Sequence, residues 1–344
     1  MDDAPVDLRS DTVTLPSPQM RAAMAAAEVG DDAYRGDPTV RKLEQRLSAL
    51  AGFEAGLFMP SGTQSNLTAL MTHCARGEEY LVGQDAHAYS HEAGGAAVLG
   101  SIQPQPIENA PDGTIPVAKL RAAIKPDDEH FAMTRLIALE NTIGGKVLPQ
   151  GYVDDVAKLA REHGLSMHLD GARVFNAAAF AARPIAELCA PFDSVSICLS
   201  KGLGAPVGSV LCGSVAFIER ARRWRTMLGG GLRQAGVLAA AGLYALDHNV
   251  ARLPLDHDNA KRLAQGLAAL GALKVTMPQT NIFFVEIPPA DVEPLKRHLR
   301  ACNIVATVSA VTRLVTHLDI DEAKVDRVLM AFEAFYHKAY AKAQ

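Results

Sequence analysis

Short runs of apolar, β-prone residues alternate along this chain with longer stretches in which apolar residues recur every three or four positions. That alternation restricts the fold more than any other feature. Strands separated by helices pair mostly in parallel, because each helix carries the chain back across the sheet before the next strand begins. The expected strands are Ala55–Phe58, Tyr80–Val82, Leu136–Leu139, Leu165–Leu169, Ser194–Leu199 and Gly208–Cys212, and the expected helices include Val40–Ala51, Asn66–Ala75 and Val153–His163. No repeat or low-complexity stretch interrupts the pattern. The sequence predicts an α/β protein on a large, mostly parallel sheet.

After an apolar helix over 235–246 the composition turns polar, through Asp247-His248-Asn249 and Asp256-His257-Asp258-Asn259. A second unit then reads helix, strand (Asn281–Val285), helix (Val292–Arg300), strand (Thr312–Thr316), helix (Asp321–Tyr340). The boundary falls near residue 250. It divides an N-terminal arm (1–17), a large domain (18–250) and a smaller C-terminal α/β domain (251–344). Pro16 and Pro18 keep the arm extended, since proline disfavours helix at and before its own position.

A net charge of −4 with no strongly basic segment argues against nucleic acid or an anionic membrane as partner. The longest apolar run, Ala235 to Leu246, is too short to cross a bilayer and reads as a buried helix. The start, Met1-Asp2-Asp3-Ala4-Pro5, has neither the basic nor the apolar part of a secretory signal. Five cysteines without a C-x-x-C pair read as reduced thiols, which points to a cytoplasmic protein.

In an open α/β sheet, ligands collect beyond the carboxyl ends of the strands. His87, Glu140-Asn141, Asp170 and Lys201 all follow expected strands closely. Lys201 stands in Leu199-Ser200-Lys201-Gly202-Leu203-Gly204, with Gly208 beyond, a setting that lets a bulky planar ligand approach the backbone. An amine there suits pyridoxal phosphate, whose aldehyde condenses with lysine. Asp170, in His168-Leu169-Asp170-Gly171-Ala172-Arg173, supplies the carboxylate that keeps the cofactor's ring nitrogen protonated. The bland alternatives are a surface lysine in a glycine loop and a helix cap at Asp170. The G-x-G-x-x-x-G spacing departs from the dinucleotide fingerprint. Arg173 reads as a partner for the cofactor's phenolic oxygen or for Asp170.

Pro60-Ser61-Gly62-Thr63-Gln64-Ser65-Asn66 joins a strand to a helix, and its free N–H groups, hydroxyls and helix dipole suit a phosphate. The same residues are also routine caps. His87 and His91 are four apart, but no third ligand is near, so no metal is expected and His87 is better placed as an aromatic base against the cofactor ring. His130 has no local motif and reads as a surface residue. Arg233 lies in a Gly229-Gly230-Gly231-Leu232-Arg233-Gln234 loop. Arg313, on a strand, offers a bidentate fork to a carboxylate. Either arginine reads equally as half of a surface salt bridge.

These motifs together resemble the low-specificity L-threonine aldolase family, a branch of the aspartate-aminotransferase-like (fold type I) pyridoxal phosphate enzymes. The stretches that carry the resemblance are Asp7-Leu8-Arg9-Ser10-Asp11-Thr12-Val13-Thr14, Gly30-Asp31-Asp32-Ala33-Tyr34, Pro60 to Asn66, Glu92-Ala93-Gly94-Gly95, His168 to Arg173, Cys198 to Gly208 and Arg313-Leu314-Val315-Thr316-His317. They span nearly the whole chain. The resemblance implies Lys201 as the residue that carries the cofactor, Asp170 at the ring nitrogen, His87 stacked on the ring, Gly62 and Thr63 at the phosphate, and Arg173 near the phenolic oxygen. It further implies Ser10 and Arg313 at the substrate carboxylate, Arg173 among the substrate-binding residues as well, Arg233 reaching a neighbouring subunit's cofactor, and His130 near the substrate hydroxyl. The assembly implied is a homotetramer with active sites shared within dimers. The implied reaction is retro-aldol cleavage of β-hydroxy-α-amino acids, including L-threonine and L-allo-threonine, to glycine and an aldehyde. One departure stands out: many relatives carry Tyr-Gly-acidic-Asp-Pro where this chain has Tyr34-Arg35-Gly36-Asp37-Pro38.

The base that takes the hydroxyl proton should titrate near neutrality, leaving His87 and His130 as candidates. A β-eliminating lyase or an aminotransferase is the nearest alternative. A nucleotide-binding module using Ser61–Asn66 is a more distant one. A non-catalytic scaffold gives Lys201 and Asp170 no reason to occur together.

Overall fold

The computed structural model describes residues 5–341, with side chains through 337; residues 1–4, where a signal was sought, lie outside it. The first strand, β1 (Val6–Asp7), lies outside the main sheet. Seven strands form that sheet: β2 (Ala55–Met59), β3 (Glu79–Gly83), β4 (Gln103–Ile107), β5 (Thr134–Glu140), β6 (Ser166–Asp170), β7 (Ser194–Cys198) and β8 (Ser209–Gly213). Their order is β2-β8-β7-β6-β5-β3-β4. The run from β4 to β7 is parallel, while β8 is antiparallel to both β7 and β2. The reversal follows from the connection: the stretch between β7 and β8 contains no helix to carry the chain back.

Six of these strands coincide with expected apolar runs. The seventh, β4, reads Gln-Pro-Gln-Pro-Ile and carries no such signal. It sits at the edge of the sheet, where one side of the ladder needs no donors and proline is tolerated.

The helix Pro38–Ala51 starts at Asp37, whose buried carboxylate accepts N–H bonds from Thr39 and Val40 on one oxygen and from Gly30 and Gly236 on the other. One side chain thereby caps a helix and ties down a loop at two further points. The departing segment resolves into a single 3-10 turn, Asp32–Tyr34, closed by Arg35 at φ 58°. Holding a non-glycine residue in this left-handed region costs about 1–2 kcal/mol, and the Gly36 N–H bond to Asp31 helps fix the turn.

Beyond the helix Gly236–His248 the chain enters a second sheet of β9 (Lys274–Val275), β10 (Ile282–Glu286) and β12 (Val311–Val315), antiparallel in the order β12-β10-β9. The helices Leu253–Ala269, Val292–Ala301 and Glu322–Ala341 complete this unit. Its core is separate from that of the large sheet and contains Leu263, Leu267, Phe283, Leu295, Leu314, Val328 and Phe332.

The N-terminal segment also belongs to this second core. The strand β1 pairs in parallel with β11 (Ile304–Val305), and the Leu8 carbonyl accepts from Val315. Val6 and Leu8 are fully buried. The segment begins as a strand and is built into the second unit rather than laid along it. Among the described residues no helix is long and apolar enough to cross a membrane.

Replacing Leu8 with alanine should lower unfolding stability by about 2–5 kcal/mol, the usual range for a cavity left by a buried leucine. Urea denaturation would show this as a lower midpoint. An unchanged midpoint would mean that the segment does not dock in solution.

Candidate active site

Parallel strands that end together bring their following residues together. His87 follows β3, Glu140 ends β5, Asp170 ends β6, and Lys201 stands three residues past β7. The His87 N–H donates to Glu140 Oε2 at 2.7 Å, and its Nδ1 lies 2.9 Å from Glu92 Oε1. Asn66, on the helix Gly62–His73, donates from Nδ2 to both Asp170 Oδ2 (2.7 Å) and Glu92 Oε1 (2.9 Å). Asp170 Oδ1 takes a further N–H from Ala172 at 3.0 Å. Lys201 is half-buried and, among the described residues, makes no side-chain hydrogen bond or ion pair.

Three carboxylates thus share one sheared corner of the sheet. Burial pushes the Glu92 carboxyl up from its ordinary range. Burial, and then the neighbouring Asp170 charge, raises Glu140 to about 7 against the opposing His87 N–H bond. His87 is held more basic than usual, first by its bond to Glu92. An anionic pocket of this kind is relieved by a cation. His87, Glu92 and Asp170 also have ligand atoms within 4.8 Å of one another. Their facing oxygens are engaged by Asn66, His87 and the Ala172 N–H, so the cluster by itself supports no metal reading.

Ser61 caps the helix Gly62–His73, accepting from Gln64 N at 3.1 Å. The Gly62 and Thr63 N–H groups lie ahead of the first intrahelical bond, the orphan donors that suit a phosphate. A Cβ added at Gly62 would meet Ser209 Oγ at 3.5 Å, and that buried hydroxyl has no partner. Gln64 Nε2 donates to the Leu228 carbonyl, holding the glycine loop against this helix end. Arg233, at the end of that loop, is exposed and contributes its carbonyl to Asp32.

On the other flank Arg173 grips Asp11 with two bonds, 2.7 Å from Nε and 2.6 Å from Nη2. None of the expected roles for Arg173 involved Asp11; its partner is not Asp170. Burial alone would raise the Asp11 carboxyl, but the charges of Arg173 and Lys201 and a bond from Asn281 outweigh it and hold it at about 2. Ser10 lies beside Asp11, its hydroxyl 3.4 Å from Oδ1. Arg313, on β12, is half-buried and has no hydrogen bond or ion pair among the described residues. Burial and then the like charge of Arg173 lower its pKa, so an incoming anion would be welcome.

His130 is not part of this cluster. It precedes β5, at the opposite end of that strand from Glu140, and its exposed ring bonds to Asp128. Within one chain it cannot approach the groups around Lys201. Four contributors carried no role in the sequence reading: Asp11, Asn66, Glu92 and Ser209. The first three stand in stretches already singled out, yet no spacing reveals a bond between residues 162 positions apart such as Asp11 and Arg173.

A family model described as beta-eliminating lyase matches residues 7–289. The low specificity L-threonine aldolase of Escherichia coli O157:H7 is 54% identical over 330 residues, covering 96% of this chain and 99% of that protein. Among solved structures, Leishmania major threonine aldolase superposes with a TM-score of 0.82 at 21% identity, over 96% of this chain and 100% of that one. A structure of SPT with PLP gives 0.76 at 19% identity, over 97% and 88%. At those identities the two structures speak for the fold.

Asp11→Asn should cost about 3–5 kcal/mol at neutral pH, because it leaves Arg173 buried without its counter-charge. The folded carboxyl, at about 2, lies below the ordinary 3.8. Its contribution is therefore complete above about pH 4 and is lost as pH falls toward 2. Urea titrations should show the gap between parent and variant narrowing over that window, and a constant gap would contradict the assignment.

Proposed function

The chain belongs to the low specificity L-threonine aldolases of the beta-eliminating lyase family, and on that footing we propose that it cleaves L-threonine, L-allo-threonine and related β-hydroxy-α-amino acids at Cα–Cβ, giving glycine and an aldehyde, with pyridoxal phosphate held at Lys201. The observation that carries this reading is a pair of unpartnered cations, Lys201 and Arg313, both within electrostatic reach of Asp11 and Glu140, at the sheet end that also holds a buried, hydrogen-bonded Asp170.

The residues present fit the cofactor. Gly62 and Thr63 N–H groups and the orphaned Ser209 hydroxyl suit its phosphate, Asp170 suits its cationic ring nitrogen, His87 its ring, and Lys201 its aldehyde. Bound there, pyridoxal phosphate supplies a conjugated cation that accepts the electron pair released at Cα. The protein's own work is positioning and proton handling. Arg313 binds the substrate carboxylate, and Ser10 adds a hydroxyl; fixing that carboxylate sets which bond at Cα breaks. Arg173, locked by Asp11, presents a stationary positive charge on the same flank.

The hydroxyl proton needs a base. His87 has Nδ1 engaged with Glu92, which leaves Nε2 to take it. His130 would reach only the substrate of another subunit, as in a homotetramer whose sites are shared within dimers; Arg233 belongs to the same proposal. Five free thiols support a cytoplasmic setting.

Purified protein incubated with L-threonine and with L-allo-threonine should release acetaldehyde and glycine in equal amounts. Absence of aldehyde from both would refute the assignment. Lys201→Ala should abolish turnover and the bound cofactor's visible absorption. Arg313→Lys should raise KM about tenfold or more, since a lysine cannot reproduce the two-pronged grip on a carboxylate. His87→Asn should lower kcat by about 10²–10⁴, the ordinary contribution of a general base; full turnover would remove His87 from that role.

A further inference from the structure

Behind the site a line of polar side chains runs into the protein. The helix Gly62–His73 places Asn66 and His73 on one face, two turns apart, against β6 and β7. Between them stand His168 and Ser194, cross-strand partners on those two strands. His168 Nε2 is 3.2 Å from Asn66 Oδ1, His168 Nδ1 is 2.8 Å from Ser194 Oγ, and Ser194 Oγ is 2.8 Å from His73 Nε2. His168 and Ser194 are buried.

The direction of every bond in this line follows from its front end. Asn66 faces two carboxylate oxygens, so its NH2 group must point at them; the reverse would set a carbonyl oxygen against both. Asn66 Oδ1 can then only accept, and His168 Nε2 must carry the proton. A neutral ring protonated there has a bare Nδ1, which accepts the Ser194 hydroxyl. With its one hydrogen given away, Ser194 accepts from His73 Nε2–H. Burial keeps both rings neutral, His168 at about 4 and His73 at about 3.

We propose that His168, Ser194 and His73 are positioning residues that lock the Asn66 amide with its NH2 group toward Asp170 and Glu92. A change of tautomer at His168 would turn a bare nitrogen on the Asn66 carbonyl oxygen and release the amide, and a change at His73 would draw the Ser194 hydroxyl away from His168. Asp170 would lose one of its two N–H donors and, with it, part of what holds its carboxylate in place. The role assigned to Asp170 rests on the pyridoxal phosphate reading; the proton pattern does not.

The test uses the full chain as purified, with nitrogen-15 histidine, and assigns the two rings through His73→Gln and His168→Gln. Both rings should be neutral Nε2–H tautomers between about pH 8 and 6. An Nδ1–H or doubly protonated ring at His168 would overturn the proposal, whatever cofactor the protein uses. Retention of pyridoxal phosphate on dialysis and steady-state kinetics then separate positioning from packing. His168→Gln preserves an N–H toward Asn66 and should stay within about threefold of the parent. His168→Leu and Ser194→Ala should weaken cofactor retention and lower kcat about tenfold, with KM for L-threonine unchanged. Equal losses in His168→Gln and His168→Leu would show that only packing is at stake. No loss in Ser194→Ala would show that the line does not matter.

Discussion

A carboxylate is buried at the end of β6, at Asp170, and the surrounding side chains converge on it. An unpaired buried charge is expensive, and the protein meets the cost with two N–H donors, one from Asn66 and one from the Ala172 backbone. Glu92 and Glu140 lie close by, and burial together with repulsion between the carboxylates raises both of them. Two unit charges about 4 Å apart interact by about 4 kcal/mol at an effective dielectric of 20. A cation brought into such a cluster would favour the charged carboxylates again.

The opposite flank depends on a second buried charge. Asp11 lies between Arg173, which follows the main sheet, and Asn281, which precedes β10 of the second unit. The carboxylate therefore clamps the two units at the point where Arg313 enters from β12. The location of Arg313 relative to Lys201 is thus set by packing of the second core as much as by the main sheet.

The strands around the site were legible because each is a short apolar run closed by a polar residue, and parallel order brings those ends together without further information. The positions of Lys201, Asp170 and His87 could be read this way, and so could the open helix start after Ser61. Edge strand β4 could not, since prolines and glutamines reflect its exposure rather than its pairing. The reversal of β8 lay in a missing helix, not in any residue type. His130 shows the limit of motif-based placement, for the chain carries it to the far end of β5. Asp11 stood in a stretch marked as informative, but its partner is chosen by tertiary geometry alone.

The pairing of β1 with β11 joins residues nearly three hundred positions apart in the sequence. Contacts of such separation are slow to form, because a long loop must close before they repay the entropy lost. Asp11 follows β1 by only a few residues, so the same docking that pairs β1 with β11 brings Arg173 its partner. A molecule with a finished main sheet but an undocked leading segment would hold its lysine and lack its ordered guanidinium. Ripening of the catalytic pocket is in this sense a late event, gated by the chain's own return to its beginning.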